Sequence, residues 1–478
     1  MSSRDLTQGS VSKQLLRLVG PMGLGLFAVM AFNLVDTWFV SMLGTDALAA
    51  MSLTFPVVMV VGSVAMGLGI GTTSVLSRTI GGGHKEEVQR LTTHTLLLGV
   101  ALVGVVSVVG WLSVEPLLQA LGGEGEVLEL AAGYLRIWFA GAGAIVVPML
   151  GMSAIRAAGD TKTPALVMTA AGVANGVLDP ILIFGFGPIP AMGMEGAALA
   201  TLASRAITLV VALWILHKRE NLLRFSVAEL SLIPDSWGRV LKIGGPAAFT
   251  NLAQPLTIGF LTGIAAGYGD AAVAAFGAGG RIEIFALLPT IAVGIGLAPF
   301  IGQNHGAKRH DRVARVLKHS LIWSIGLGGL SYATLAIFRV PLSTVFSKDP
   351  TVLAILEQYL WILPIAHVVI GGFFIASNAL NALGRPLPAT LLTLLRTPVL
   401  LGGGAYVGSQ MGGLAGFFWG TALGLLASGL AGVLTTLYVL QGQARLAATP
   451  SLSGLSAPPV SPPLGSRARE QTPPGSAR

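Results

Sequence analysis

Asn175 and Asp179 stand four residues apart in an apolar stretch, 164–186, that is long enough to cross a bilayer, so both side chains project from one helical face. An acid at mid-membrane costs roughly 2.5 to 3.5 kcal/mol by insertion scales, so such residues face a cavity or a partner and mark an ion or substrate path. Pro180 follows directly; it frees a backbone carbonyl and permits a kink beside the acid. A second acid, Asp36, lies in the apolar run FNLVDTWFV. Thr201 and Arg205, again four apart, share the face of a third stretch. Together Asp36, Asn175, Asp179 and Thr201 offer two carboxylates, an amide carbonyl and a hydroxyl. Two carboxyls close together titrate as a coupled pair, and the same oxygens suit a hard cation such as Na⁺. The chemistry expected is ion coupling. The competing reading is structural, with the acids paired to Arg205 or bonded between helices.

The elements that hold these residues follow from composition. The chain has 478 residues, of which 53% are hydrophobic and only 10% charged, and a mean hydropathy of +0.76. That is too apolar for a water-soluble globule and reads as an all-α integral membrane protein. The net charge of +8 does not indicate nucleic acid, because Lys and Arg recur at loops between apolar runs instead of gathering on one face. Cysteine is absent, which excludes disulfides and thiolate metal sites. The first apolar run is too long for a cleavable signal peptide.

At about 20 apolar residues per crossing, the sequence predicts twelve spans. They fall at 14–40, 47–77, 91–113, 128–152, 163–186, 193–216, 239–266, 272–302, 316–339, 352–380, 388–408 and 413–440. Basic residues gather before the first span and in the even-numbered loops, as with Arg78, Lys85 and Arg90 or Lys308, Arg309 and Arg312. By the positive-inside rule both termini of this multi-pass protein are expected to be cytoplasmic.

The chain also repeats at an offset of 225. Gly20-Pro21 returns as Gly245-Pro246, Gly81 as Gly306, Glu86 as Asp311, Val88 as Val313, Arg90 as Arg315 and Gly159 as Gly384. An even number of spans per half gives both halves the same orientation, related by an axis along the membrane normal. The expected organisation is an N-lobe at 1–216, a cytoplasmic linker at 217–238, a C-lobe at 239–446 and a Pro-, Ser- and Gly-rich disordered tail at 447–478. The linker reads either as a short helix on the membrane surface or as a solvated connection.

The repeat serves as an internal control. The counterparts of Asp36, Asn175, Asp179 and Thr201 are Leu261, Leu400, Gly404 and Leu426, so the fold does not require polarity at these places. The cluster belongs to the first half alone, which argues for a task. Other polar residues carry weaker signals. Arg281 and Glu283 do not face each other on a helix and suit pairing with neighbouring helices. Arg136 is placed to snorkel outward. His94 and His367 read as hydrogen-bonded interface residues more readily than as proton relays. The run Gly67, Gly69, Gly71 permits close helix contact, and the scattered methionines are ordinary packing.

From about Lys13 to Tyr438 the chain resembles the multidrug and toxic compound extrusion (MATE) family. The motifs are LGTDALAAMSLTFPV, GLGIGTTSVLSRTIGGGHKEEV, AIRAAGDTKTPALVMTAAGVANGVLDPILIFGFG and GMEGAALATLASR. The resemblance implies twelve helices in two six-helix lobes and export of drug-like, amphipathic and often cationic small molecules. It implies exchange for H⁺ or Na⁺ with no cofactor. Within the family the chain is most similar to the DinF-like branch, whose coupling acids lie in the N-lobe at positions matched by Asp36, Asn175, Asp179 and Thr201. Gln254 holds the place where other branches carry a glutamate. Arg205, Gln254, Arg281 and Glu283 are then supporting polar residues. Pro21 and Pro180 are hinge candidates, although Pro246 matches Pro21 with no acid beside it.

The alternative is a flippase for a lipid-linked precursor. A pyrophosphate headgroup would favour several cavity cations, whereas the N-lobe spans hold essentially Arg136 and Arg205. An intramembrane enzyme would need a nucleophile with a base or a metal-ligand set, and no such motif is present. A passive channel fits a one-sided acid cluster poorly. The expected partners are small-molecule substrates and membrane lipids, with a monomer as the default.

Overall fold

The computed structural model describes residues 5–448, and among them the regular structure is helical. The first half holds α1 (Val11–Ser41), α2 (Thr45–Gly81), α3 (Lys85–Leu112), the short α4 (Val114–Ala120), α5 (Gly125–Ala157), α6 (Lys162–Phe184) and α7 (Gly193–Trp214). The second half holds α8 (Ile233–Ala266), α9 (Asp270–Gly306), α10 (His310–Ile337), the short α11 (Arg339–Phe346), α12 (Pro350–Ile362), α13 (His367–Ala382), α14 (Pro386–Leu394) and α15 (Gly404–Ala448).

Ten helical stretches are long and apolar enough to cross a membrane, with Pro350–Ala382 and Pro386–Ala448 each taken as one. Two more crossings complete the set. The 34 residues of α8 are long enough, but Thr250, Asn251 and Gln254 dilute their hydropathy. The 63-residue stretch from Pro386 breaks at Gly412–Gly413, where Gly413 takes φ 58°, a left-handed turn that favours glycine. Twelve membrane helices in two six-helix lobes result, as the sequence predicts.

The two halves meet across a seam that repeats itself at the offset of 225. A Cβ on Gly81 of α2 would sit 2.0 Å from the Gln303 carbonyl oxygen, and one on Gly306 of α9 would sit 2.0 Å from the Arg78 carbonyl oxygen. Arg78 and Gln303 are themselves equivalent positions, as are Gly81 and Gly306. A pseudo-two-fold axis therefore runs between α2 and α9. The seam lies at the end of the molecule that carries the basic loops. There the Gln303 amide donates to the Ala157 carbonyl at 2.8 Å, and Ser74 Oγ donates to the Asn381 carbonyl.

The segment between the lobes is neither a continuous helix nor a loose connection. It forms a single π-turn at Ile215–Arg219 and a short 3-10 turn at Val227–Leu232. Leu222 is buried, the Arg224 backbone N–H donates to Thr93 Oγ1 at 3.0 Å, and Gln89 donates to the Asn221 carbonyl at 2.8 Å. The linker is thus pinned along α3. Ala447 and Ala448, assigned by sequence to the tail, close α15. The remainder of the expected tail, from residue 449, lies outside the described residues.

Candidate functional site

The packing of α1 and α7 on α6 brings the acids together. The Asn175 amide donates to Asp179 Oδ1 at 3.1 Å, one helical turn away, as the i, i+4 spacing predicts. Asp36 of α1 reaches the same place, and the Asp36 and Asp179 carboxyls lie within hydrogen-bonding reach of each other. Asp179 is fully buried. Asp36 Oδ1 and Asp179 Oδ2 are also buried, and neither finds a donor among the described residues. Two carboxylates that face each other with two unsatisfied oxygens repel. One proton between them, or one hard cation across them, removes the repulsion.

Tyr134 of α5 completes the surroundings. It is buried and close enough for both carboxyl charges to act on its hydroxyl. Sequence reasoning passed over it because a single tyrosine in an apolar run is ordinary core. Comparison at the repeat offset would have singled it out, since its counterpart is Tyr359.

Other candidates are placed differently. Thr201 Oγ1 makes no hydrogen bond with a described residue, so its hydroxyl does not join the cluster in this conformation. Arg205 pairs with no described carboxylate, which removes the expected neutralisation of Asp36 and Asp179 by that arginine. Gln254 and Arg281 are exposed on α8 and α9. Arg136 does not simply snorkel but pairs with Glu115 of α4. Pro21 and Pro180 are accommodated within α1 and α6 without ending them. The Arg17 carbonyl, deprived of its helical donor by Pro21, accepts from Thr161 Oγ1 at 3.4 Å.

Glu283 alone of the supporting set enters a network, and that network lies in the second half. Its Oε2 accepts from the Tyr359 hydroxyl at 2.5 Å, and its Oε1 meets His367 Nε2 at 3.1 Å. Ser331 Oγ holds His367 Nδ1 at 2.8 Å. The Arg396 charge also acts on the carboxyl, and its guanidinium lies 4.5 Å from the Phe373 ring centre.

An apolar groove of about 400 Å³ between α3, α5 and α7, lined by Leu96, Val147, Leu209 and Phe225, contains none of these acids. No cluster of three or more His, Cys, Asp or Glu able to hold a metal occurs among the described residues.

The fold and the buried carboxyl pair define a polytopic transporter. The MatE family model matches the chain twice, at residues 21–181 and 246–406, the second match lying 225 positions after the first at both ends. The chain belongs to the MATE family, and it is a transporter and not an enzyme. It is 36% identical over 426 residues to a protein of Shewanella oneidensis named FAD transporter, covering 89% of this chain and 94% of the relative. Among solved structures it is similar to the Vibrio cholerae MATE transporter VcmN in the bent form, with 31% identity, 91% of this chain, 98% of that one and a TM-score of 0.86. It is also similar to a multidrug resistance MATE transporter in an outward-facing conformation, with 27% identity, 93% and 99% coverage and a TM-score of 0.88.

Proposed function

We propose that this chain is a secondary active antiporter of the DinF-like branch, exporting amphipathic, often cationic small molecules in exchange for H⁺ or Na⁺ by alternating access. The observation that carries this reading is the Asp36–Asp179 pair, with one unsatisfied buried oxygen on each carboxyl and apolar or glycine counterparts in the other half. An ion bound there halves the charge of the pair and removes its repulsion, and Asn175 orients Asp179 through its amide. An organic cation and the ion then compete for the same negative charge, which couples their movements. In this reading residues 1–216 form the ion-binding lobe, 239–446 the second lobe and 217–238 a cytoplasmic connection. The protein works as a monomer in the inner membrane with both termini cytoplasmic.

A second reading of the substrate is favoured by the relative named FAD transporter. An amphipathic dinucleotide would meet cationic groups in the second half, where Arg281 is exposed and Arg396 stacks on Phe373. Nothing comparable favours a lipid-linked precursor.

The test is flux in proteoliposomes under an imposed pH gradient and, separately, a Na⁺ gradient, with a fluorescent organic cation and with FAD as alternative cargo. Flux driven by one gradient and lost in both Asp36→Asn and Asp179→Asn supports the antiporter and names its ion. Flux indifferent to both gradients, or intact in both variants, overturns it.

A further inference from the structure

The segment before α1 and the first turns of α1 bury their apolar side chains in the core of the other half. Leu6, Val11, Leu15 and Leu18 are buried in a core built from Val293, Leu297 and Phe300 of α9 and Val313 and Leu317 of α10. The start of α8 does the reverse: Val240 and Ile243 are buried in the core of the first half. Leu15 and Leu18 are equivalent to Val240 and Ile243 at the offset of 225, so each half lends the start of its first helix to the other.

Polar contacts fasten both exchanged segments, again at equivalent positions. On one side, Arg239 of α8 donates to Glu87 Oε1 of α3 at 2.5 Å. On the other, Arg312 of α10 donates to Gln14 Oε1 of α1 at 2.8 Å. Gln14 is the counterpart of Arg239, and Glu87 that of Arg312. A second pair of contacts repeats in the same way. Trp237 Nε1 donates to the His94 carbonyl at 2.8 Å and Ser236 Oγ meets His94 Nδ1 at 2.9 Å, while Ser12 Oγ meets His319 Nδ1 at 3.3 Å. His94 and His319 are equivalent, as are Ser12 and Trp237.

The two fastenings differ in strength. Glu87 and Arg239 form a partly exposed ion pair. Arg312 is buried, and beyond Gln14 it donates to the carbonyls of Leu6, Gln8 and Gly9 and to Asn304 Oδ1, while Asn304 and Gln303 bond the Leu6 backbone. Beyond each exchanged segment stands a proline, Pro21 or Pro246. After Pro21, α1 returns to its own half and delivers Asp36 to the acid pair. One helix is therefore held by both halves on either side of Pro21.

We propose that the exchanged starts of α1 and α8 are a reciprocal pair of clamps that hold the basic-loop end closed, and that the α1 clamp formed by Arg312 must release before that end can open. This rests on the alternating-access reading above. Both clamps cross between the halves, so separating the halves at this end breaks the bond from Arg239 to Glu87 and those from Arg312 to Gln14 and to the Leu6, Gln8 and Gly9 carbonyls. The clamp on α1 has more buried, charge-assisted bonds and is the one that dominates the closed state.

The chain contains no cysteine, so Lys162→Cys with Leu387→Cys gives a clean spin-label pair. These exposed, equivalent positions begin α6 and α14 at the basic-loop end and take no part in either clamp. The distance between the labels is measured by pulsed electron resonance, without substrate. Arg312→Ala is expected to raise the ratio of long to short distances about tenfold. Glu87→Arg and Arg239→Glu should each raise it about threefold, with the combined exchange restoring the original distribution. Gln14→Ala is the milder variant should Arg312→Ala fail to give a monodisperse protein. A distribution unchanged in Gln14→Ala and in both charge reversals overturns the proposal, as does a double exchange that fails to restore it. Lengthened distances together with gradient-indifferent flux in the unsubstituted protein would leave the clamps standing and remove the antiporter reading alone.

Discussion

Each lobe holds one buried tyrosine near a carboxyl group, at the same place in the repeat, and the carboxyls of the two lobes are treated in opposite ways. In the second half Tyr359 bonds Glu283, His367 holds the other carboxyl oxygen and the Arg396 charge is close. In the first half Tyr134 stands near Asp36 and Asp179, which face each other and keep one buried oxygen each without a donor. The equivalents of Glu283, His367 and Ser331 in the first half are Val58, Ala142 and Val106, so neither network could be rebuilt in the other lobe. A buried carboxylate with every oxygen bonded is costly to disturb, because removing a partner leaves a charge uncompensated. A buried pair left short of donors is a place for a mobile cation. The comparison separates an acid whose oxygens are bonded from a pair with open oxygens, and the proposed ion site is the open pair.

That separation can be broken by substitution. Asp36→Asn and Asp179→Asn should each reduce gradient-driven flux to background while leaving the thermal unfolding midpoint in detergent near that of the unsubstituted protein. Glu283→Gln should do the opposite, costing about 1 to 3 kcal/mol of stability because an amide replaces the charge-assisted bonds to His367 and Tyr359 with neutral ones, with gradient dependence retained. A Glu283→Gln protein of normal stability that has lost coupling would mean that both lobes carry the ion. The tyrosines sharpen the contrast: Tyr359→Phe strips a charge-assisted bond and should cost about 2 kcal/mol, whereas Tyr134→Phe should change stability by less than that and flux by a few-fold. Smallest is the hinge. Pro21→Ala should slow turnover about threefold by restoring a backbone hydrogen bond where α1 passes from one half to the other, and Pro246→Ala, with no acid beyond it, should not. Equal slowing in both would assign the two prolines to lobe shape.

The seam gives an independent check on stability. Gly306→Ala would press a Cβ into the Arg78 carbonyl and should cost about 1 to 3 kcal/mol, read as a lowered unfolding midpoint.

Much of this was legible in the sequence by itself. Hydrophobic period and length determined twelve crossings, because a bilayer admits only helices with internally satisfied backbones in an α-protein of this composition. The offset of 225 determined two like-oriented halves. The i, i+4 spacing placed Asn175 on Asp179, since helical geometry is local. Contacts between helices are not local, and these only the tertiary structure decided. It joined Asp36 to Asp179 across α1 and α6 and left Thr201 and Arg205 outside the cluster. It drew Glu283, two residues from Arg281, to a tyrosine and a histidine far along the chain. It also showed that the starts of α1 and α8 are exchanged between the halves, which no repeat pattern can reveal: a repeat states which positions are equivalent, while packing decides which half each one lies against.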